Sequence, residues 1–366
     1  MNKNVKDRVV CIVMAVLLFG TALVCMFKPL DAYSFTERRS LKKFPQVSVN
    51  TILSGSFMTN FEDYTLDQFP LRDLFRGIKA VNELFVFQKT DNNKLYLADG
   101  HISKIEYPYH PDKITNAADK MNAVYERYLK DTGSKVYLSV IPDKNAFLAE
   151  KNGYLALDYA KLIEELREQT PNLSYIDIFS ALSADDYYNT DTDWRQENLT
   201  DIAKIICNAM GAESASDYTV NELADPFSGV YLGQSALPLD TDTIRYLTND
   251  TINGLKVFDG ENQKDIPVYN LEAGKEPDAY ELFLGGPLSI VTIENPNADT
   301  DRELIVIRDS FGSSIAPLLC ESYAKVTLLD IRYLRSDTLE QYVTFDGQDV
   351  LFLYSTMVLN NSETFK

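Results

Sequence analysis

The chain has 366 residues, 45% hydrophobic and 24% charged, which is ordinary globular usage and excludes a disordered or fibrous protein. Its formal net charge is −19, and residues 1–28 carry Lys3, Lys6, Arg8 and Lys28 against Asp7, so the rest carries −22. A surface of that sign repels phosphate backbones and anionic lipid, which excludes nucleic acid as a partner and leaves a neutral or cation-bridged substrate.

Residues 9–27 (VVCIVMAVLLFGTALVCMF) form an uncharged run of 19 residues, which at about 1.5 Å per residue nearly matches a hydrocarbon core of about 30 Å. Lys3, Lys6 and Arg8 precede it, so the positive-inside rule puts the N-terminus in the cytoplasm and the main domain outside the cell membrane. The run is longer than a signal-peptide core and no Ala-x-Ala site follows it, so an uncleaved single-pass anchor is expected. Residues 29–60 are polar and turn-prone and read as a stalk. Residues 61–87 then place Phe69, Leu74, Phe75, Ile78, Val81 and Phe85 at roughly helical spacing.

Beyond this point helices and strands alternate. Ile114, Met121, Val124, Tyr128 and Leu129 repeat at three and four, and Gly133 stops the helix before an apolar strand at 136–141. A helix at 159–169, a strand at 175–179 and a helix at 196–210 follow. Residues 212–300 break the rhythm and read as a β-rich insertion. The pattern then resumes with strands at 304–307, 326–329 and 350–353 separated by helices at 313–323 and 338–343. Short continuous apolar strands between helices imply a parallel sheet covered on both faces. The domains expected are a cytoplasmic tip and transmembrane anchor (1–28), a stalk and helical region (29–100), and an α/β domain (101–366) carrying the insertion. Cys207 and Cys320 each fall in a helical pattern and read as small buried hydrophobes.

In such sheets ligands bind beyond the carboxyl ends of the strands, which draws attention to two segments. After the strand at 304–307 the chain reads Arg-Asp-Ser310-Phe-Gly312-Ser-Ser, placing a hydroxyl at a helix start where backbone N–H groups stabilise an alkoxide. Asp and Ser are also common helix caps. The second segment, Asp185-Asp-Tyr-Tyr-Asn189-Thr-Asp191-Thr-Asp193-Trp194, holds the only Trp of the chain, a bulky anchor that a solvated cap does not require. Asn189, Asp191 and Asp193 stand at alternate positions, as in a calcium loop, but Trp194 replaces that loop's Gly and Thr200 its closing Glu, so no metal is expected.

Several blocks in order carry a resemblance: Glu37-Arg-Arg39-x-Leu41, Phe61-Glu-Asp-Tyr64 with Asp67-Gln-Phe-Pro70-x-Arg72, Pro142-Asp-Lys144, Phe227-x-Gly229, the Ser310 segment, Asp330-x-Arg332-Tyr333 and Asp349-Val-Leu-Phe-Leu-Tyr-Ser355. Together they resemble the DHHW family and its relatives among the alginate O-acetylation proteins. The resemblance implies an SGNH-hydrolase-like, flavodoxin-like fold, with Ser310 as nucleophile and Asp191-Thr-Asp193-Trp194 in the place of the name-giving tetrad. In that pattern the first Asp orients a general-base His, and here the His position is Asp193. Replacing imidazole by carboxylate lowers the reference pKa from about 6.5 to about 3.9 and sets two anions beside a developing oxyanion. Weak or lost activity is therefore expected.

His101 and His110 are the only histidines and lie far from Ser310 in sequence. Gly285, Gly286 and Asn295 are candidate oxyanion donors that also suit a turn and a strand end. The resemblance implies O-acetyl transfer to, or deacetylation of, a cell-surface or exported polysaccharide, with no cofactor and with a membrane-bound acyl-transfer partner. The alternative is a catalytically inactive polysaccharide-binding or scaffolding protein of an envelope assembly.

Overall fold

The computed structural model describes residues 3–213 and 217–366. Residues 1 and 2 of the expected cytoplasmic tip, and residues 214–216 of the expected insertion, lie outside the described residues. The chain forms two compact units, one of residues up to Asn92 with Gly233–Leu239, the other of Asn93–Leu232 with Asp240–Lys366.

In the first unit, helix α1 (Lys3–Phe27) contains the apolar run, and Val5–Phe27 is long and apolar enough to cross a membrane. The expected stalk is not featureless. Ser48 caps a short helix, Val49–Leu53, by accepting the Thr51 N–H, and α2 (Ser56–Asp67) follows. The single amphipathic stretch expected over 61–87 divides, because Pro70 has no N–H to donate and Leu71 turns to φ 55°. Helix α3 (Arg72–Val81) begins there and runs into a wider turn, Asn82–Val86. The two sequence blocks of this region meet: Arg39 grips Asp67 with both nitrogens (2.9 and 2.6 Å), and Arg72 donates to Glu37.

The second unit is built on one eight-stranded sheet. Its central strands are β3 (Val136–Ile141), β8 (Glu303–Arg308), β9 (Lys325–Leu329) and β10 (Asp349–Ser355), with β4 (Ser174–Tyr175) at one edge. These five run parallel in the order β9–β8–β10–β3–β4. Every residue of β3 and β10 is buried, as expected for strands covered on both faces. Alternation along β8 separates the two cores. Leu304 and Val306 pack with Ile202, Ile206 and Leu318, while Ile305 and Ile307 pack with Ile114, Met121 and Leu138. The covering helices are α4 (Pro111–Val124), α5 (Tyr159–Gln169), α6 (Thr200–Ala209) and α7 (Gly312–Cys320). Cys207 and Cys320 are free and buried in the first of these cores.

The α/β class with a mostly parallel, helix-flanked sheet and an apolar N-terminal helix is thus borne out. The inserted segment does more than decorate that sheet. Its strands β5 (Lys256–Asp259), β6 (Lys264–Ile266) and β7 (Ile290–Glu294) extend the same sheet beyond β9 in antiparallel fashion, in the order β6–β5–β7–β9. The hairpin β1 (Leu95–Ala98) and β2 (His101–Lys104) stands apart from it. Two expected elements are shorter than their patterns. The strand at 175–179 ends at Tyr175, after which Asp177 accepts the Phe179 N–H (2.9 Å) and bends the chain. The helix at 338–343 is a single turn, Leu339–Gln341, in which only Leu339 is buried.

Candidate active site

Because β3, β8 and β10 are parallel, their carboxyl ends share one rim, with Ser355 opposite Ile141 and Leu353 opposite Arg308. Ser310 stands two residues past β8 and just before α7, at the positive end of that helix. The turn is braced by Asp309, whose carboxylate accepts the Ser355 N–H (2.8 Å) and the Phe311 N–H (3.2 Å). Burial raises the Asp309 pKa. Gly312 is required here: a Cβ would lie 2.8 Å from the Arg308 side chain.

The acidic segment reaches the same rim as a closed hairpin. Tyr187 and Trp194 bridge in antiparallel register, the Tyr188 N–H donates to Asp193 O (3.1 Å), and the Arg195 N–H donates to Asp186 O (2.7 Å). Trp194 is fully buried and donates its indole N–H to Phe311 O (3.1 Å) and Ser314 Oγ (2.8 Å), pinning the hairpin to the first turn of α7. Asp242, from the inserted segment, accepts the Asn189 N–H, the Thr190 N–H and hydroxyl, and the Arg195 guanidinium, all within 3.0 Å. Gly229 lies against the hairpin so closely that a Cβ would sit 2.3 Å from Thr190 C and O.

Ser310 Oγ, half-buried, donates to Asp193 Oδ1 over 3.4 Å. This is a long hydrogen bond, across 117 residues of sequence. The Asp191 carboxylate accepts the backbone N–H groups of Thr192 (2.7 Å), Asp193 (3.2 Å) and Val230 (2.6 Å). It therefore shapes the backbone carrying Asp193.

Lys144 is a residue that the sequence reading did not assign to the chemistry. It follows β3, is buried, and its ammonium donates to Tyr188 O (2.7 Å) and Asn189 O (3.2 Å) while lying over the Tyr231 ring. Burial pushes its pKa down to about 7, opposed by Asp191, Asp242 and Asp193. Its neighbour Asp143 accepts from Tyr159 and Thr356 and is pushed up to about 6 by burial and Glu106. The only signal available was the Pro142-Asp-Lys144 block itself.

The remaining candidates separate. Asn295 follows β7 at the opposite end of the sheet, where Glu294 pairs with Lys325, and its amide donates to Cys320 O; it is not an oxyanion donor at Ser310. The Gly286 N–H is used on Phe283 O (3.2 Å) within a turn where both Gly285 and Gly286 take positive φ. His101 is buried on β2, 3.7 Å from Asp185, and burial lowers its pKa. The next residue, Ile102, donates its N–H to Asn189 O (2.8 Å), so β2 borders the acidic hairpin. The His110 N–H donates to Asn360 at the start of α4. Among the described residues no group of three His, Cys, Asp or Glu is placed to hold a metal ion.

No family model and no curated protein matches the sequence. Solved structures do. A DHHW family protein from Eubacterium siraeum superposes with a TM-score of 0.59 at 22% identity, over 75% of this chain and 95% of its own. PatB1 from Bacillus cereus gives 0.60 at 19% identity, over 72% and 96%, and has also been solved with a sulfonyl adduct. The O-acetyltransferase domain of Pseudomonas putida AlgJ overlaps more loosely, at 0.44 and 13% identity. Likeness to the first two establishes a shared fold.

Proposed function

We propose that this is a membrane-tethered protein facing away from the cytoplasm, with an SGNH-hydrolase-like domain that transfers or removes O-acetyl groups on cell-surface or exported polysaccharide. Support comes from the shared fold, the ordered sequence blocks, and above all the contact of Ser310 Oγ with Asp193 Oδ1 at the rim of the sheet. Lys3, Lys6 and Arg8 ahead of the apolar helix support the orientation.

In the reaction, Ser310 Oγ bonds to the acetyl carbonyl carbon as its proton passes to Asp193. The ester C–O bond then breaks, and the leaving oxygen takes the proton back. Water or a sugar hydroxyl releases the acetyl group from Ser310 by the reverse sequence. Asp191 holds the hairpin backbone, and the cationic form of Lys144 offsets the clustered carboxylates. A carboxylate in place of imidazole gives up about 3.5 kcal/mol of proton affinity, from the reference pKa values of about 3.9 and 6.5, so turnover is slow.

A second reading, glycan binding without turnover, is favoured by one observation: the Asp191 carboxylate is engaged by three backbone N–H groups, where a relay would have it orient the base. Acetyl-ester turnover by the full chain, its Ser310→Ala variant and its Asp193→His variant separates the two. Slow wild-type turnover, abolished in Ser310→Ala and raised at least about tenfold in Asp193→His, is the expected result. Silence in the wild type with activity in Asp193→His supports the binding reading, and silence in all three removes Ser310 as nucleophile. PatB1's sulfonyl adduct suggests a parallel probe, sulfonyl fluoride labelling that Ser310→Ala abolishes.

A further inference from the structure

Helix α3 is amphipathic in the inverse sense to a helix on a soluble core. Its inward side carries Ala80, fully buried, Arg76, which donates to Gly233 O and Gln234 O (both 2.9 Å), and Arg72, held by Glu37. A Cβ on Gly77 would lie 3.3 Å from Ala236 O, so this polar side is tightly packed. The outward side carries Leu71, Leu74, Phe75 and Ile78, and the following turn adds Phe85, Val86 and Phe87; all seven are 49–69% exposed. A helix normally turns such a stripe toward the protein, and a contiguous apolar face of this kind on a folded unit marks something other than water against it.

Charge and chain connection identify that medium. Residues 29–92 hold eight basic and eight acidic side chains, a net charge of zero, whereas residues 93–366 hold all of the −22. The neutral unit is therefore the one that approaches an anionic lipid surface without repulsion. It is also the unit whose chain leaves the bilayer at Phe27, with only 43 residues between it and Leu71. Lys79 and Lys89 are exposed beside the stripe, as on interfacial helices.

From these observations we infer that α3 and its continuation through Phe87 lie in the bilayer interface, with the Leu71–Leu74–Phe75–Ile78–Phe85 face in the acyl boundary and Arg72 and Arg76 turned back into the protein. The inference rests on the reading of α1 as a retained membrane anchor.

The test uses the full chain reconstituted in phosphatidylethanolamine–phosphatidylglycerol vesicles, with and without lipid brominated near the headgroup. Phe75→Trp and, separately, Phe85→Trp place a reporter on the stripe. Leu155→Trp places one on an exposed site of the other unit, and native Trp194, fully buried, reports intact folding. Brominated lipid is expected to reduce emission from the Phe75→Trp and Phe85→Trp reporters at least about twofold, leaving Leu155→Trp and Trp194 unchanged. Vesicle flotation under alkaline carbonate tests the anchor separately: protein left behind overturns the tether and the inference with it. Protein that floats but shows no more quenching at position 75 or 85 than at 155 overturns the interfacial placement alone. A stripe covered by a second copy gives that same unquenched result, together with a dimer in detergent.

Discussion

A buried ammonium beside three carboxylates makes Lys144 the residue on which the acidic hairpin is organised. Its two carbonyl acceptors, Tyr188 O and Asn189 O, lie at the start of the hairpin that carries Asp191 and Asp193. Lys144→Met leaves Tyr188 O without a donor in the interior, while Asn189 O keeps the Ile102 N–H, and is expected to cost about 1–3 kcal/mol, measured by urea unfolding. The same residue sets a pH dependence. Its folded pKa, about 7, lies below the ordinary 10.5. Between those values the unfolded chain holds a proton that the folded chain gives up, so the Lys144 contribution to stability rises with pH, by at most about 1.4 kcal/mol per unit. Below about pH 7 both states are protonated and that slope vanishes. Lys144→Met is expected to remove the rise between about pH 7 and 9.

Side-chain identity and order made Ser310 and Asp193 visible in the sequence, since each closes a recognisable segment at the end of a strand pattern. Lys144 closes the Pro142-Asp-Lys144 block in the same way, but nothing in that block marks its role, because neither periodicity nor composition separates a lysine folded over a tyrosine ring from one in water. Asn295 misled for a related reason. It stands next to an apolar strand, and only the antiparallel direction of β7 carries it to the far end of the sheet.

At the scale of elements, the legible parts were those with one dominant physical demand. Strands β3, β8, β9 and β10 are apolar over most of their length, with charged residues only at strand ends, because helices cover both faces. The inserted strands β5 and β6 sit toward the sheet edge, with alternating or mostly exposed residues, and such short runs carry no pairing information. Helix α7 depends on the hairpin at its first turn, where the Trp194 indole N–H meets Phe311 O and Ser314 Oγ. Trp194→Phe retains most of the ring but removes the indole donor, while Tyr280 still donates to Ser314 Oγ and Ser314 to Phe311 O. A loss of about 0.5–1.5 kcal/mol is expected in thermal unfolding. Because the same contact aligns Ser310 with Asp193, acetyl-ester turnover or sulfonyl labelling should fall with it.

Across the whole molecule, the sixteen charged groups of residues 29–92 cancel while the sheet-bearing unit holds the entire excess of negative charge. Overall net charge, read alone, hides that contrast, and so does hydrophobic periodicity, which marks Leu74, Phe75 and Ile78 as a stripe without saying which way it faces. The thiols of Cys207 and Cys320, both fully buried and unpaired, carry one last consequence. Folding of this domain needs no oxidative catalyst, and burial raises both thiol pKa values, so little reactive thiolate is present. Their labelling by a maleimide should keep pace with cooperative opening of the sheet across a denaturant series, giving a chemical clock for unfolding that requires no engineered probe. Rapid labelling in native buffer, with Cys11 and Cys25 already blocked in the lipid-reconstituted protein, is the result that would contradict it.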